Sequence, residues 1–234
     1  MPDTSSAFLV QFDDGAAATT TNPPEVIAQL VHELAQPLGT IESIAYYLRM
    51  VLPTDDQRTH EQLRKIEDIV ASMNGTLTDA VHFLRQAPLN PEVIDLHPLL
   101  YEALAERGHD AKPEFLLDLP DEPALVKVDA GQGRHLVRSL VSLFRAFTGR
   151  CEQVIVRTRR EPGQVTLEFN APGLQTTREE MEHLFAPFGD GFRDGAGLTL
   201  ASARQIVESN GGRISARSDT GRGLSLCGAF PLAS

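Results

Sequence analysis

The sequence predicts an α+β protein: a two-helix hairpin that dimerises into a four-helix bundle, followed by an α/β sandwich. Three observations predict this. Apolar residues recur at three- and four-residue spacing through 27–51 and again through 63–84, which is the period of a helix face. Only Leu52-Pro53 and the polar residues after it separate the two stretches, so the helices must run antiparallel as a hairpin. Beyond Asn90-Pro91 the pattern changes to short β-branched runs alternating with helical ones, as expected of a mixed sheet with helices on one face.

Residues 1–22 carry Asp13-Asp14-Gly15, an alanine run and Thr19 to Thr21, a composition suited to a flexible leader, with Phe8 to Phe12 as a candidate edge strand. Residues 23–88 form the hairpin. Its first helix opens at Pro24-Glu25, where proline is tolerated in the first turn, and runs to Leu52-Pro53. At 100° per residue, Ile27, Leu30, Val31, Leu34, Leu38, Ile41, Leu48 and Val51 gather on one side and His32 points nearly the opposite way. Pro37 removes the amide that would bond the carbonyl of Glu33, loosening the helix one turn beyond the histidine. Thr54 or Asp55 caps the second helix, whose stripe is Leu63, Ile66, Ile69, Val70, Met73, Leu77, Val81 and Leu84. Two helices cannot bury both stripes, so a homodimer is expected.

Residues 89–97 read as a linker and 98–234 as the second domain. There, His97 to Arg107, Gly131 to Thr148, Arg178 to Leu184 and Leu198 to Ser209 are helical. Phe115 to Leu119, Leu125 to Val128, Val154 to Thr158, Val165 to Phe169, Arg213 to Arg217 and Leu224 to Phe230 are strands, with turns at Glu161-Pro162-Gly163 and Thr220-Gly221.

Composition narrows the functions open to the chain. A formal charge of −11 disfavours nucleic acid and anionic membranes as partners. No apolar run of about 20 residues and no signal-peptide layout occurs, so a cytoplasmic protein is expected. Cys151 and Cys227 lack a metal or disulfide spacing and read as small core residues. His60, His82, His97, His109, His135 and His183 have no metal-ligand spacing, so no metal site is expected. A lone histidine on a polar helix face is ordinarily just solvated. His32, however, sits beside Glu33, a carboxylate close enough in the chain to orient an imidazole nitrogen. Gly39, Ser43, Tyr46 and Met50 follow on the histidine's side of the helix. They suit either docking of another protein or cover by the chain's own second domain.

Taken together, the motifs resemble the transmitter core of bacterial sensor histidine kinases. His32-Glu33-Leu34-Ala35-Gln36-Pro37-Leu38 is similar to that family's phosphoacceptor box. Leu184-Phe185-Ala186-Pro187-Phe188 is similar to its phenylalanine box. Gly195-Ala196-Gly197-Leu198-Thr199-Leu200-Ala201, Gly211-Gly212-Arg213-Ile214 and Gly221-Arg222-Gly223 resemble its second glycine box and closing strands. The resemblance implies a dimerisation and histidine-phosphotransfer hairpin followed by a histidine-kinase-type ATP-binding domain. His32 would be the phosphoacceptor, with Glu33 as its base and Gln36 within the same box.

The departures from the pattern fall on nucleotide handling. Leu143 stands where the family has a Mg²⁺-binding asparagine, and a leucine cannot ligate a hard cation. Phe169 stands where it has an adenine-binding aspartate, and Ala171 replaces a glycine of the first glycine box. Thr199 replaces the third glycine of the second. Asn170 points to the strand face opposite Phe169. Gly173, Gly195 and Gly197 remain as the parts of a degenerate nucleotide site. No cofactor is therefore expected, and the chain resembles histidine phosphotransferases built on the kinase fold. Only about 22 residues precede the hairpin, so no sensor domain is expected on this chain. The expected function is a phosphorelay protein exchanging phosphate with response-regulator receiver domains, loaded by an upstream hybrid kinase. The alternatives are a soluble autokinase using Mg-ATP through a divergent pocket, and a non-catalytic scaffold for a kinase or regulator.

Overall fold

A computed structural model describes residues 23–53, 56–84, 89–105, 113–147, 150–187, 196–219 and 222–233. The leader expected at 1–22, the proposed caps Thr54 and Asp55, and Gly195 lie outside the described residues. Helix α1 spans Pro23–Val51 and continues through Pro37. Helix α2 spans Gln57–Leu84, and its N-terminal cap is Asp56, whose Oδ1 accepts from the Thr59 amide at 3.1 Å. Hydrogen bonding from the Thr59 side chain and then from its amide holds the Asp56 carboxyl below its usual range.

Leu38 and Ala45 of α1 bury against Leu63 and Val70 of α2. Seven-residue spacing on both helices gives one straight contact line, and Arg49 Nε meets Glu67 Oε1 across it at 3.1 Å. A hairpin offers each helix only one such line. Leu30, Leu34, Ile41, Leu48 and Val51, with Ile66, Ile69 and Met73 of α2, therefore stay 38–59% exposed in the single chain.

The second part begins earlier than the sequence indicated. Pro91–Asp95, expected within a linker, forms strand β1. It pairs antiparallel with β3, Leu125–Asp129, as a separate two-stranded sheet. Asp95 Oδ1 anchors the junction by accepting from the amides of His97 and Ala124 at 3.1 and 3.0 Å. A five-residue run opened by proline carries too little period to be read as a strand.

Helix α3 (Leu96–Ala105), β2 (Glu114–Asp118), α4 (Ala130–Ala146), β4 (Gln153–Glu161), β5 (Gln164–Ala171), α5 (Arg178–Glu182), α6 (Ala196–Ser209), β6 (Arg213–Asp219) and β7 (Gly223–Pro231) complete the chain. The main sheet has the order β2-β4-β5-β7-β6. Its β2–β4 pair is parallel and the rest antiparallel. Burial alternates along β4 and β5, as a one-sided sheet requires. The inner face, Val154, Val156, Val165, Leu167, Phe169, Leu224, Leu226 and Phe230, meets Leu136, Leu140 and Phe144 of α4 and Leu200 and Val207 of α6. His97 and Thr158 are buried there as a polar pair, 2.8 Å apart. Gly223 has φ +75°, and an added Cβ would lie 2.0 Å from the Ala171 carbonyl oxygen, so this close approach of β7 to β5 requires glycine.

Asp129 caps α4. Its carboxylate accepts from the amides of Gln132 at 3.0 Å and Asn90 at 3.2 Å. These bonds, with Gln132 the strongest, hold its carboxyl below the usual range. A depressed carboxyl stabilises the fold above its unfolded value near pH 4 and loses that contribution as the pH falls through the folded value. Replacing Asp129 by alanine is expected to cost about 1 kcal/mol at pH 7. In urea titrations the deficit should shrink below pH 4, as the wild-type carboxylate protonates.

Candidate functional site

His32 stands on the exposed side of α1, one turn before Gln36, whose Nε2 lies 3.4 Å from the histidine's Nε2. Glu33 is also exposed, and its Oε1 accepts from Gln29 at 3.4 Å. In this conformation it is Gln36, rather than Glu33, that reaches the imidazole. Ser43, Tyr46 and Met50 are exposed on the same side, and Gly39 is half-buried. The Arg49 guanidinium carbon lies 5.4 Å from the Tyr46 ring centroid. At 1.5 Å rise per residue, the stripe from His32 to Met50 runs about 27 Å along the helix. The imidazole at one end, and aromatic and thioether groups at the other, are all exposed.

The residues at the positions that the resemblance gives to nucleotide handling are placed very differently. Leu143 is 6% exposed and Phe169 is fully buried, stacked on Phe144 with ring centroids 5.4 Å apart and planes at 14°. Neither position offers an oxygen to a cation or to an adenine amine. Asn170 faces away from this core and donates to the Arg222 carbonyl at 3.4 Å, so it does not stand in for the missing carboxylate. Gly173 takes φ +85° in an exposed turn, with nothing within 4 Å of an added Cβ. Gly197 is buried in the first turn of α6. These residues do not fit bound Mg-ATP. Among the described residues, no group of three His, Cys, Asp or Glu side chains is placed to hold a metal.

A polar cluster not anticipated from sequence joins the two parts. Asp79 of α2 is 3% exposed. Its Oδ1 lies 3.0 Å from His135 Nε2 and accepts from Ser139 Oγ at 2.9 Å, both on α4. Its Oδ2 accepts from Thr199 Oγ1 on α6. His82, one turn along α2, stacks on His135 with centroids 3.8 Å apart. Asp79 lies on the side of α2 opposite Val70, nine residues away, and in sequence is indistinguishable from a solvated aspartate. His82 and His135, read as structural or solvated, are structural here. Cys151 is buried as expected, but Cys227 is only half-buried, on the open face of the sheet. Burial pushes both thiols up.

The family described as Histidine kinase-, DNA gyrase B-, and HSP90-like ATPase matches residues 129–234. Sensor histidine kinase ZraS of Klebsiella oxytoca is 29% identical over 202 residues, covering 84% of this chain and 43% of that protein. C4-dicarboxylate transport sensor protein DctB of Pseudomonas aeruginosa is 30% identical over 200 residues, covering 80% and 32%. The chain thus spans less than half the length of these curated relatives. Among solved structures, full-length ShkA in complex with AMPPNP superposes with TM-score 0.63 at 21% identity, over 90% of this chain and 47% of that one. Acinetobacter baumannii histidine kinase AdeS gives 0.55 at 19%, over 87% and 98%. Sheet, helices and hairpin therefore define a protein of the histidine-kinase ATPase fold. The chain belongs to the sensor histidine kinase family of two-component signalling proteins, of which it carries the transmitter region. No described helix is long and apolar enough to cross a membrane.

Proposed function

We propose that this chain is a homodimeric phosphorelay carrier, a pseudokinase in nucleotide handling, that exchanges phosphate between receiver aspartates through His32. The contrast between an exposed His32 and a core-filling Leu143 and Phe169 carries this reading. A neutral ring nitrogen attacks the phosphorus of an aspartyl phosphate. An N–P bond forms, the acyl P–O bond breaks, and the electron pair leaves with the carboxylate. The reverse step loads a second receiver. Gln36, which reaches the ring, serves to orient it, and the Glu33 carboxylate serves to take up its proton. The chain is assigned to the cytoplasm, where receivers are found, with a hybrid kinase as the upstream donor. Mixing the purified protein with an isotopically phosphorylated receiver tests this directly. Acid-labile label appearing on the chain is expected, and none after prolonged incubation defeats the proposal.

The exposed stripe of Leu30, Leu34, Ile41, Leu48, Val51, Ile66, Ile69 and Met73 supports pairing of two hairpins into a four-helix bundle. Sedimentation at micromolar concentration is expected to give twice the chain mass, and a monomer would refute the bundle. Tyr46 and Met50, 53% and 68% exposed, support docking of the receiver along the His32 stripe. Tyr46→Ala is expected to weaken receiver binding about tenfold without changing the sedimentation coefficient. Unchanged binding would remove this face from the docking surface.

The match of 129–234 to the ATPase family favours, as a second reading, an autokinase using Mg-ATP. Saturable heat on titration with ATP and Mg²⁺ would select it. A scaffold without chemistry would keep its function when His32 is replaced by alanine.

A further inference from the structure

The main sheet ends in two edges, β2 on one side and β6 on the other, and no described strand lies beyond either. An edge strand presents unpaired amides and carbonyls and so invites another strand. In the β2–β4 register Phe115 and Leu117 stand beside the core residues Val154 and Val156, so Glu114, Leu116 and Asp118 lie on the open face of the sheet. In the β6–β7 register Ala216 and Ser218 stand opposite the core residues Leu226 and Leu224. Arg213, Ser215 and Arg217 therefore lie on that same open face. One edge is acidic and the other basic, each with two exposed charges four residues apart. Asp118 also meets Arg157 and Arg159 at 2.9 and 2.6 Å, whereas the neighbour of Glu114 is the neutral Gln153, at 3.3 Å. Nor is β2 shielded by polar side chains along its length, since Leu116 and Leu117 are 38% and 37% exposed.

We propose that β2 of one chain pairs with β6 of a second copy, continuing the sheet from one molecule into the next. The strand directions allow it. β2 is parallel to β4, and the three antiparallel pairs that follow leave β6 running against β2. Two copies set side by side in the same orientation therefore bring β6 and β2 together as an antiparallel pair, with their open faces level. Opposing Leu116 to Ser215 sets Glu114 across from Arg217 and Asp118 across from Arg213. On the core side the same register pairs Phe115 with Ala216 and Leu117 with Ile214, which are apolar throughout. The charges select this register. A slip of two residues one way opposes Glu114 to Asp219, and the other way takes Asp118 past the end of β6 to Gly211. A slip of one turns the apolar row to the open face. Self-pairing in full overlap is disfavoured at both edges. β2 against β2 opposes Glu114 to Asp118, and β6 against β6 about Ser215 opposes Arg213 to Arg217. The contact is thus heterologous: each copy gives one edge and accepts the other, which joins copies head to tail instead of closing on a two-fold axis. A five-residue overlap makes it weak, and it uses neither the apolar stripe of the hairpin nor His32.

Sedimentation velocity of the full chain, from about ten to a few hundred micromolar, reads the contact. The wild type is expected to form species heavier than its low-concentration form as concentration rises. Glu114→Lys and Arg217→Glu, both at exposed positions, each set like charges across the contact. Each is expected to weaken this further association about tenfold and to leave the thermal midpoint unchanged. The double variant E114K/R217E restores opposite charges between copies, as does an equimolar mixture of E114K with R217E. Both are expected to regain association, the mixture because each variant's altered edge then meets the other's. A wild type that keeps its low-concentration mass throughout the range overturns the proposal. So do single variants that associate as the wild type does, or a mixture that associates no better than its components. The comparison starts from whatever mass the hairpins give at low concentration, so hairpin pairing and edge pairing can fail independently.

Discussion

Phe169→Asp, which would write the family's aspartate back into the first glycine box, is expected to unfold the second domain rather than restore nucleotide binding. Phe169 is fully buried at the centre of the sheet's inner face and stacks on Phe144 with centroids 5.4 Å apart. Removing a buried phenyl ring costs about 3–5 kcal/mol through lost transfer energy and the cavity left behind. The new carboxylate would sit among Leu226, Leu167 and Phe144, so its desolvation adds to that cost. The sum is comparable with the whole stability of a domain, on the order of 5–15 kcal/mol. A denaturant melt followed by circular dichroism would show it as lost or non-cooperative unfolding of the sheet. A variant that melts within a few degrees of the wild type and binds ATP would overturn the assignment of this residue to the core.

His32→Gln is expected to abolish phosphoryl uptake from a phosphorylated receiver while leaving the fold untouched. The ring nitrogen is the only nucleophile on its turn that forms a transferable phosphoramidate, and glutamine offers an amide of similar size with no such lone pair. The side chain is exposed, and Gln36 approaches it at 3.4 Å. A surface change of this kind alters stability by roughly 0.5 kcal/mol or less. The thermal midpoint and the dimer mass should therefore match the wild type, and the label should fall to background. Glu33→Ala is the graded companion. General-base assistance contributes about 10²-fold or more, so slowed rather than absent labelling assigns it that role, and an unchanged rate removes it.

Much of this was legible from residue pattern, and the exceptions have physical causes. The hairpin, α4 and the β4–β5 and β6–β7 hairpins follow from period and turn residues, because each element's pattern is local. β1 was missed because five residues opened by Pro91 show no period until β3 is beside them. The apolar stripe of α1 was legible, but its division was not. Leu38 goes to α2, while Leu30, Leu34 and Ile41 remain open, because a single hairpin supplies one contact line where the stripe is wide enough for two.

By itself, the sequence determined that His32 faces solvent beside a carboxylate and an amide, since helical geometry places every residue of α1 on a known side. It also determined that Leu143 and Phe169, at the positions the resemblance gives to the metal and the adenine, are apolar, since that is a matter of residue identity. Only the tertiary structure decided what those apolar residues do: Phe169 and Leu143 fill the core between sheet and α4 rather than line an open pocket. Only it brought Asp79 together with Thr199, 120 residues away, and with His135 and Ser139. A buried polar contact between distant elements leaves no periodic trace, because its donors and its acceptor each look solvated until the helices that carry them meet.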